Sequence, residues 1–211
     1  MTSDAGTDRR AHWEKVYCEK SPLSVSWYQA SPEPSLSLIE AGGHPPTARL
    51  IDVGGGASTL VDHLLARGHR DVTVLDLASA ALGHARRRLG ERAGAVRWLT
   101  GDVTDADLGG PFDVWHDRAV FHFLTDARLR SAYRAQLLDN TGAGACVIVA
   151  TFALDGPERC SGLPVARYSP ESLATELGPA FRLEEARAVS HTTPGGSVQH
   201  FQFSRFRRRA G

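Results

Sequence analysis

"RLIDVGGGAS", residues 49–58, decides the fold. Leu50 to Val53 read as a short buried strand carrying one acid, Asp52, next to its end. Three glycines follow, Gly54, Gly55 and Gly56, and then a helical stretch expected over 58–66 and ended by Gly68. Glycine permits a tight turn and a close approach of the backbone to a ligand. In an open parallel sheet, ligands collect beyond the carboxyl ends of the strands. The bend after Val53 is therefore expected to face a binding site.

Working outward, the same alternation repeats. "DVTVLDL" (71–77), "AVRWLTGDV" (95–103), "FDVWHDRAV" (112–120) and "GACVIVATFA" (144–153) read as further buried strands. Helices are expected over 79–89, 126–139 and 170–178. "FRLEEARAVSHTT" (181–193) and "VQHFQFSRF" (198–206) flank the turn signal "TPGGS" and should pair as an antiparallel hairpin. Seven strands with interleaved helices imply an α/β fold with a doubly wound, mostly parallel sheet and an antiparallel C-terminal hairpin. Ahead of this lies a lead, residues 1–45, with a helix over 9–20 and a second over 35–42 capped by Ser35; residues 46–211 form the main domain.

Composition bounds the function. The chain has 211 residues, with 42% apolar and 23% charged, so a globular domain with a sizeable core is expected. The 24 basic residues balance 24 acidic ones, which gives no support to a nucleic-acid or membrane-surface role. The basic cluster "RFRRR" (205–209) reads as a frayed tail or solvated strand end. No apolar leader or spanning run is present, so the expected setting is cytoplasmic, with neither nucleic acid nor membrane as partner. Cys18, Cys146 and Cys160 form no CxxC, and no metal site is expected.

The chemistry starts from three acids. Asp52 beside the bend suits a ligand with a cation or amine there and would repel a pyrophosphate. A dinucleotide site would read G-x-G-x-x-G, but the third glycine position is Thr59. Asp76, at the end of the second strand, can accept bonds from ribose hydroxyls. Asp102, at the end of the third, can accept from an adenine amine, with the Val103 N–H offered to a ring nitrogen. Any one such aspartate alone is a helix cap or turn residue. All three in register around Gly54–Gly56 describe a site for a nucleoside with a positive charge and an amino-acid tail, which S-adenosylmethionine fits.

These stretches resemble the class I S-adenosylmethionine-dependent methyltransferases over about residues 10–206. "LIDVGGGAS" resembles that superfamily's first motif, "VTVLDL" its second-strand acid, "LTGDV" its adenine-side motif and "FDVWHDRAVFHFL" its post-fourth-strand motif. The resemblance implies a Rossmann-like fold, S-adenosylmethionine as cofactor and S-adenosylhomocysteine as product. The lead "HWEKVY…SWYQ" resembles a subgroup of small one-domain enzymes that includes protein-lysine methyltransferases, whose aromatic lead helps enclose the cofactor. Carried over, this implies Trp13, Tyr17, Tyr28, Gly54, Asp76, Leu77, Asp102, Val103 and the positions His116 to Arg118. Ala57 departs from the pattern, where many members have a further glycine.

The lead's aromatic residues have two open readings, packing of the first helix on the sheet or a lid over a sulfonium. For the methyl acceptor, His116 is a candidate base with Asp117 beside it, and His122 is the second candidate; bonds to backbone or cofactor are the alternative for His116 and Asp117. The loop 154–169 carries Cys160, Arg167 and Tyr168 and is long enough to be functional. Three converging thiols would suit a soft acceptor such as arsenite, whereas a lone Cys is a small buried hydrophobe. His191 is expected at the surface beside the turn. The expected activity is methyl transfer to an N, S or O atom of a small molecule. The alternatives are a protein-lysine methyltransferase, a nonenzymatic binding module on the same fold, and a nicotinamide reductase.

Overall fold

A computed structural model describes residues 4–210; residues 1–3 of the lead and Gly211 lie outside them. Two helices come first, α1 (Asp4–Glu19) and α2 (Glu33–Ala41). Then strands and helices alternate: β1 (Arg49–Val53), α3 (Leu60–Ala66), β2 (Asp71–Asp76), α4 (Ser79–Leu89), β3 (Val96–Thr100), β4 (Phe112–Arg118), α5 (Ala127–Asp139) and β5 (Thr141–Phe152). After β5 come a two-stranded hairpin, β6 (Arg159–Cys160) and β7 (Leu163–Pro164), then α6 (Pro170–Leu177), β8 (Phe181–Thr192) and β9 (Val198–Arg208).

The main sheet has seven strands in the order β3-β2-β1-β4-β5-β9-β8, with β1 to β5 parallel and β9 antiparallel to both β5 and β8. The order reverses at β1, so β1 and β4 diverge to helices on opposite faces and leave a crevice at their carboxyl ends. β1, β2 and β4 are near-continuous buried runs because helices cover both faces. One core lies under α2 and α3 (Leu36, Ile39, Leu50, Leu64, Val74). The other lies under α5 and α6 (Ile51, Trp115, Tyr133, Leu137, Leu173).

Three local expectations are corrected. Ser35 does not cap α2; it lies inside the helix, buried, while Pro32 occupies the cap and Pro34 the first turn, where a missing N–H costs nothing. The loop after β5 is not structureless, since β6 and β7 pair within it. The basic run at 205–209 is no frayed tail. Arg205 and Arg207 of β9 pair with Glu184 on β8, and Arg208 lies 5.2 Å over the Phe181 ring.

Candidate active site

The glycine bend meets its own chain before it meets any ligand. Gly54 has φ +68°, and a Cβ there would run into Val120 Cγ2. Gly56 has φ +40°, and its Cβ would lie 2.6 Å from Asp76 Oδ2. A Cβ on Gly55 would collide with the Asp52 carboxylate. The glycines thus let the backbone nest between two buried acids and the loop after β4, and Gly54 alone of the three also lines the large cavity.

That cavity, of about 260 Å³, opens at the carboxyl ends of the strands. One half is bounded by Val53, Gly54, Asp76, Leu77, Asp102 and Val103 from the first three strand ends. The other is walled by Phe123, Phe152, Cys160, Leu163, Gln199 and Phe201. Arg9, Trp13 and Tyr17 of α1, with Trp27, complete the lining. A smaller pocket of about 50 Å³ adjoins it; Tyr17, Trp27, Gly54 and Arg118 line both, and Tyr28, Asp52, Gly55, Ser58 and His116 line the smaller one. Gly56 lines neither.

The lead is pinned as a roof. The Glu14 carboxylate accepts from Ser79 N (2.6 Å), Ser79 Oγ (2.8 Å) and Ala80 N (3.0 Å), supplying the cap that α4 lacks from its own sequence. Arg9 donates to Asp102 Oδ2 at 2.7 Å. Trp13 stands edge-on to Trp27 and Phe123 at 5.6 and 5.2 Å, and the Trp27 indole N–H donates to the Tyr17 hydroxyl at 3.1 Å. Packing and enclosure are therefore served by the same residues. Trp27, Arg9 and the Phe201 wall were not among the expected site residues.

The acids differ in their surroundings. Asp76 Oδ1 accepts from Ala78 N at 2.8 Å, while among the described residues no side chain bonds Oδ2. Burial pushes its carboxyl up to about 7, opposed by the Ala78 N–H and reinforced by the nearby Asp52 and Glu14 charges. Asp102 Oδ1 accepts from Thr104 N and Oγ1 at 3.0 and 2.8 Å. Asp52 Oδ1 accepts from His116 Nδ1 at 2.7 Å, and His116 Nε2 lies 2.8 Å from Ser35 Oγ.

The candidate bases stand away from the large cavity. His116 faces the smaller pocket with both ring nitrogens engaged. Asp117 is fully buried. It accepts from Val120 N (3.0 Å), Phe121 N (3.2 Å) and the Tyr133 hydroxyl (2.8 Å), so it anchors the loop after β4. Burial outweighs those bonds and holds its carboxyl up at about 6. His122 packs edge-on to Phe123 and tilted against Phe152, and burial pushes it down to about 3. Neither Asp117 nor His122 lines either of these two cavities. Ala119, with φ +68°, holds the loop in a left-handed turn at the cavity wall, the kind of strain that functional sites retain.

The thiols do not converge. Cys18 is exposed on α1, Cys146 is buried in β5 against Gly42, and Cys160 lines the large cavity. Among the described residues no group of His, Cys, Asp and Glu is arranged to hold a metal ion. His191 is buried rather than at the surface, its Nε2 2.7 Å from Ser26 O. No helix among the described residues is long and apolar enough to cross a membrane.

Residues 50–137 match a family model described as a methyltransferase domain. The fold is that of the class I S-adenosylmethionine-dependent methyltransferases. A malonyl-[acyl-carrier protein] O-methyltransferase of Anoxybacillus flavithermus is 24% identical over 130 residues, 61% of this chain and 49% of that protein, so the chain spans about half the length of that relative. Among solved structures, the methyltransferase fold superposes on a protein studied for conversion of a disulfide bond into a thioacetal during echinomycin biosynthesis. The TM-score is 0.77 at 21% identity, covering 95% of this chain and 92% of that one. It also superposes on the Burkholderia thailandensis 1,6-didemethyltoxoflavin N1-methyltransferase, solved with 1,6-didemethyltoxoflavin and S-adenosylhomocysteine bound. There the TM-score is 0.73 at 19% identity, covering 99% and 91% of the two chains.

Proposed function

We propose that this protein transfers a methyl group from S-adenosylmethionine to a nucleophilic atom of a small molecule. One observation carries the reading: a roofed cavity joins the strand-end acids Asp76 and Asp102 to an aromatic-walled end, and the smaller pocket that holds Asp52 adjoins it at Gly54. The donor set fits the cofactor. Asp76 offers Oδ2 to ribose hydroxyls, Leu77 and Val103 give apolar faces to an adenine, and Asp102 and the Val103 N–H stand where an adenine edge would be read. The smaller pocket, with Tyr28, Asp52, Gly55 and Ser58, adjoins at Gly54 and suits a methionyl tail, the Asp52 carboxylate favouring its ammonium.

When bound, the cofactor supplies the methyl group and a neutral thioether leaving group. The chain's part is to align, to exclude water and to hold charge. Trp13, Tyr17 and Trp27 present aromatic faces, which attract a sulfonium and keep the cavity dry. At the aromatic-walled end burial keeps Cys160 neutral by pushing its thiol up to about 11, and the other titratable group, Arg118, is a cation. No ionised base is placed there, so the acceptor must bring a lone pair that needs no deprotonation by the protein, as an aromatic amine or a preformed thiolate does. Its proton, where it has one, passes to water.

A roofed cavity suits a small acceptor better than a polypeptide lysine, which needs an open groove. The balanced charge favours neither nucleic acid nor an anionic membrane surface. Three unpaired thiols accord with a reducing, cytoplasmic setting. The test is calorimetry with S-adenosylhomocysteine and with NADH, followed by transfer of labelled methyl to a panel of thiols, aromatic amines and hydroxyaromatics. Binding of S-adenosylhomocysteine with transfer to a panel member is expected. Preference for the dinucleotide, or cofactor binding with transfer only to lysate proteins, overturns the proposal.

A further inference from the structure

Arg118 ends β4 and lines the cavity, yet most of its hydrogen-bonding capacity is unspent. Its first terminal nitrogen donates to Trp27 O at 2.9 Å. Nε and the other terminal nitrogen are buried and have no partner. The guanidinium lies 4.7 Å over the Phe201 ring, so it leans toward β9 and away from the strand ends that carry Asp76 and Asp102. Among the described residues no carboxylate pairs with it, whereas most other half-buried arginines have one: Arg9 has Asp102, Arg130 has Glu176, and Arg205 has Glu184; Arg134 and Arg208 share the exception, but neither lines the cavity. Orphaned charged donors in a dry site are costly, which is tolerable where a ligand completes them.

The surroundings describe that ligand. Phe123, Phe152 and Phe201 wall this end, with Phe152 and Phe201 centroids 4.8 Å apart. Gln199 faces the same space with a buried, partnerless Oε1, able to accept from an N–H or O–H. Flat aromatic walls favour a flat partner, and an arginine fork favours a carboxylate. We propose that the methyl acceptor is a small planar aromatic or heteroaromatic acid, its carboxylate held by Arg118 Nε and the free terminal nitrogen, and its ring held against Phe201 and Phe152. This rests on the methyltransferase reading above and makes Arg118 the specificity residue of that same site. Desolvation lowers the guanidinium only to about 10, so it stays charged at neutral pH.

The shared chemistry is a carboxylate, and the cofactor's own methionyl carboxylate is the rival source, because Arg118 also borders the smaller pocket. The experiment separates the two. Wild-type protein saturated with S-adenosylhomocysteine is titrated with benzoate, 4-aminobenzoate, nicotinate and 2-mercaptobenzoate, each against its carboxamide. At least one acid is expected to bind about tenfold to a hundredfold tighter than its amide. R118K and R118M are expected to erase that preference, a larger effect than any they have on S-adenosylhomocysteine affinity. Wild-type protein needs no substitution for the acid–amide comparison, so a variant that misfolds leaves the test intact. Equal binding of every acid and its amide overturns the proposal. So does a loss of S-adenosylhomocysteine affinity in R118K with the acid preference intact, which would give the guanidinium to the cofactor. Failure of wild-type protein to bind S-adenosylhomocysteine at all overturns instead the reading on which the proposal rests.

Discussion

The proposed role of Asp76 in holding the ribose ties cofactor affinity to pH. Burial disfavours its charge and lifts the free protein's value to about 7, with Asp52 and Glu14 adding to the lift and the N–H groups of Ala78 and Leu77 opposing it. Ribose hydroxyls donating to Oδ2 would stabilise the charged form, so binding pulls the value down and expels a proton. Only the ionised fraction is competent. One unit below its value about one molecule in eleven is ionised, making the apparent Kd about tenfold weaker than the plateau, and at its value the loss is about twofold. Calorimetry with S-adenosylhomocysteine in buffers of differing ionisation heat should show release of about 0.9 proton near roughly pH 6, falling toward about 0.1 near roughly pH 8. The same carboxyl affects folding with the opposite sign. Its folded value exceeds the ordinary 3.8, so the stability it confers is complete below that value and is lost as pH rises through about 7. Free-protein stability should fall over the window in which affinity rises. D76N should abolish the affinity slope; an unchanged slope in D76N, or a flat wild-type profile, refutes the assignment of Asp76 to the ribose.

Other expectations concern the frame around the site. G54A must place a Cβ against Val120 at φ +68°, costing about 1–2 kcal/mol of backbone strain plus the clash. V120A should recover the clash portion only, read by urea unfolding of both single variants and the double. E14A strips the cap from α4 and unpins α1, so a loss of about 1 kcal/mol is expected. Hydrogen exchange should then rise in α1 before it rises in the sheet. Y133F orphans the Trp115 indole N–H and removes a donor from Asp117, at about 1–3 kcal/mol for each partner left unsatisfied. Thermal unfolding should register that loss while S-adenosylhomocysteine affinity stays within about twofold, because the Asp117 bonds to the Val120 and Phe121 N–H groups remain.

Much of the frame was legible because burial on both faces leaves a simple trace. "LIDV", "VTVLD" and "CVIVATF" are mainly apolar runs with an acid or a turn at or beside their ends, and each lies in a strand. The hairpin from β8 to β9 was announced by "TPGGS". What the sequence hid were ends and short elements. α2 begins at Glu33 because Pro34 fits a first turn, whereas the serine that looked like a cap was needed inside, against His116. The strands β6 and β7 are two residues each, too short for any periodicity to reveal.

The two halves of the cavity differ in legibility for a topological reason. Its nucleoside half is built from consecutive strand ends, so one repeating unit of strand, turn and helix places Gly54, Asp76 and Asp102 at predictable intervals. The opposite half draws Phe123 from a short turn after β4, Phe152 from the end of β5, Cys160 from a two-residue strand and Phe201 from a hairpin strand. No spacing rule links those positions, and each alone looks like a core aromatic or a buried thiol. His116 is the complementary case. It has the right residue type at the right strand end, but both its ring nitrogens are engaged, by Asp52 and by Ser35 of α2, while Arg118, two residues on, meets the cavity. Period two along β4 would also have put His116 and Arg118 on one face; the left-handed turn at Ala119 ends the strand there, and both side chains border the smaller pocket while only Arg118 reaches the larger. The proposed acceptor site thus rests on the last residue before a strained turn and on the aromatic wall it faces, features that exist only once the sheet has closed.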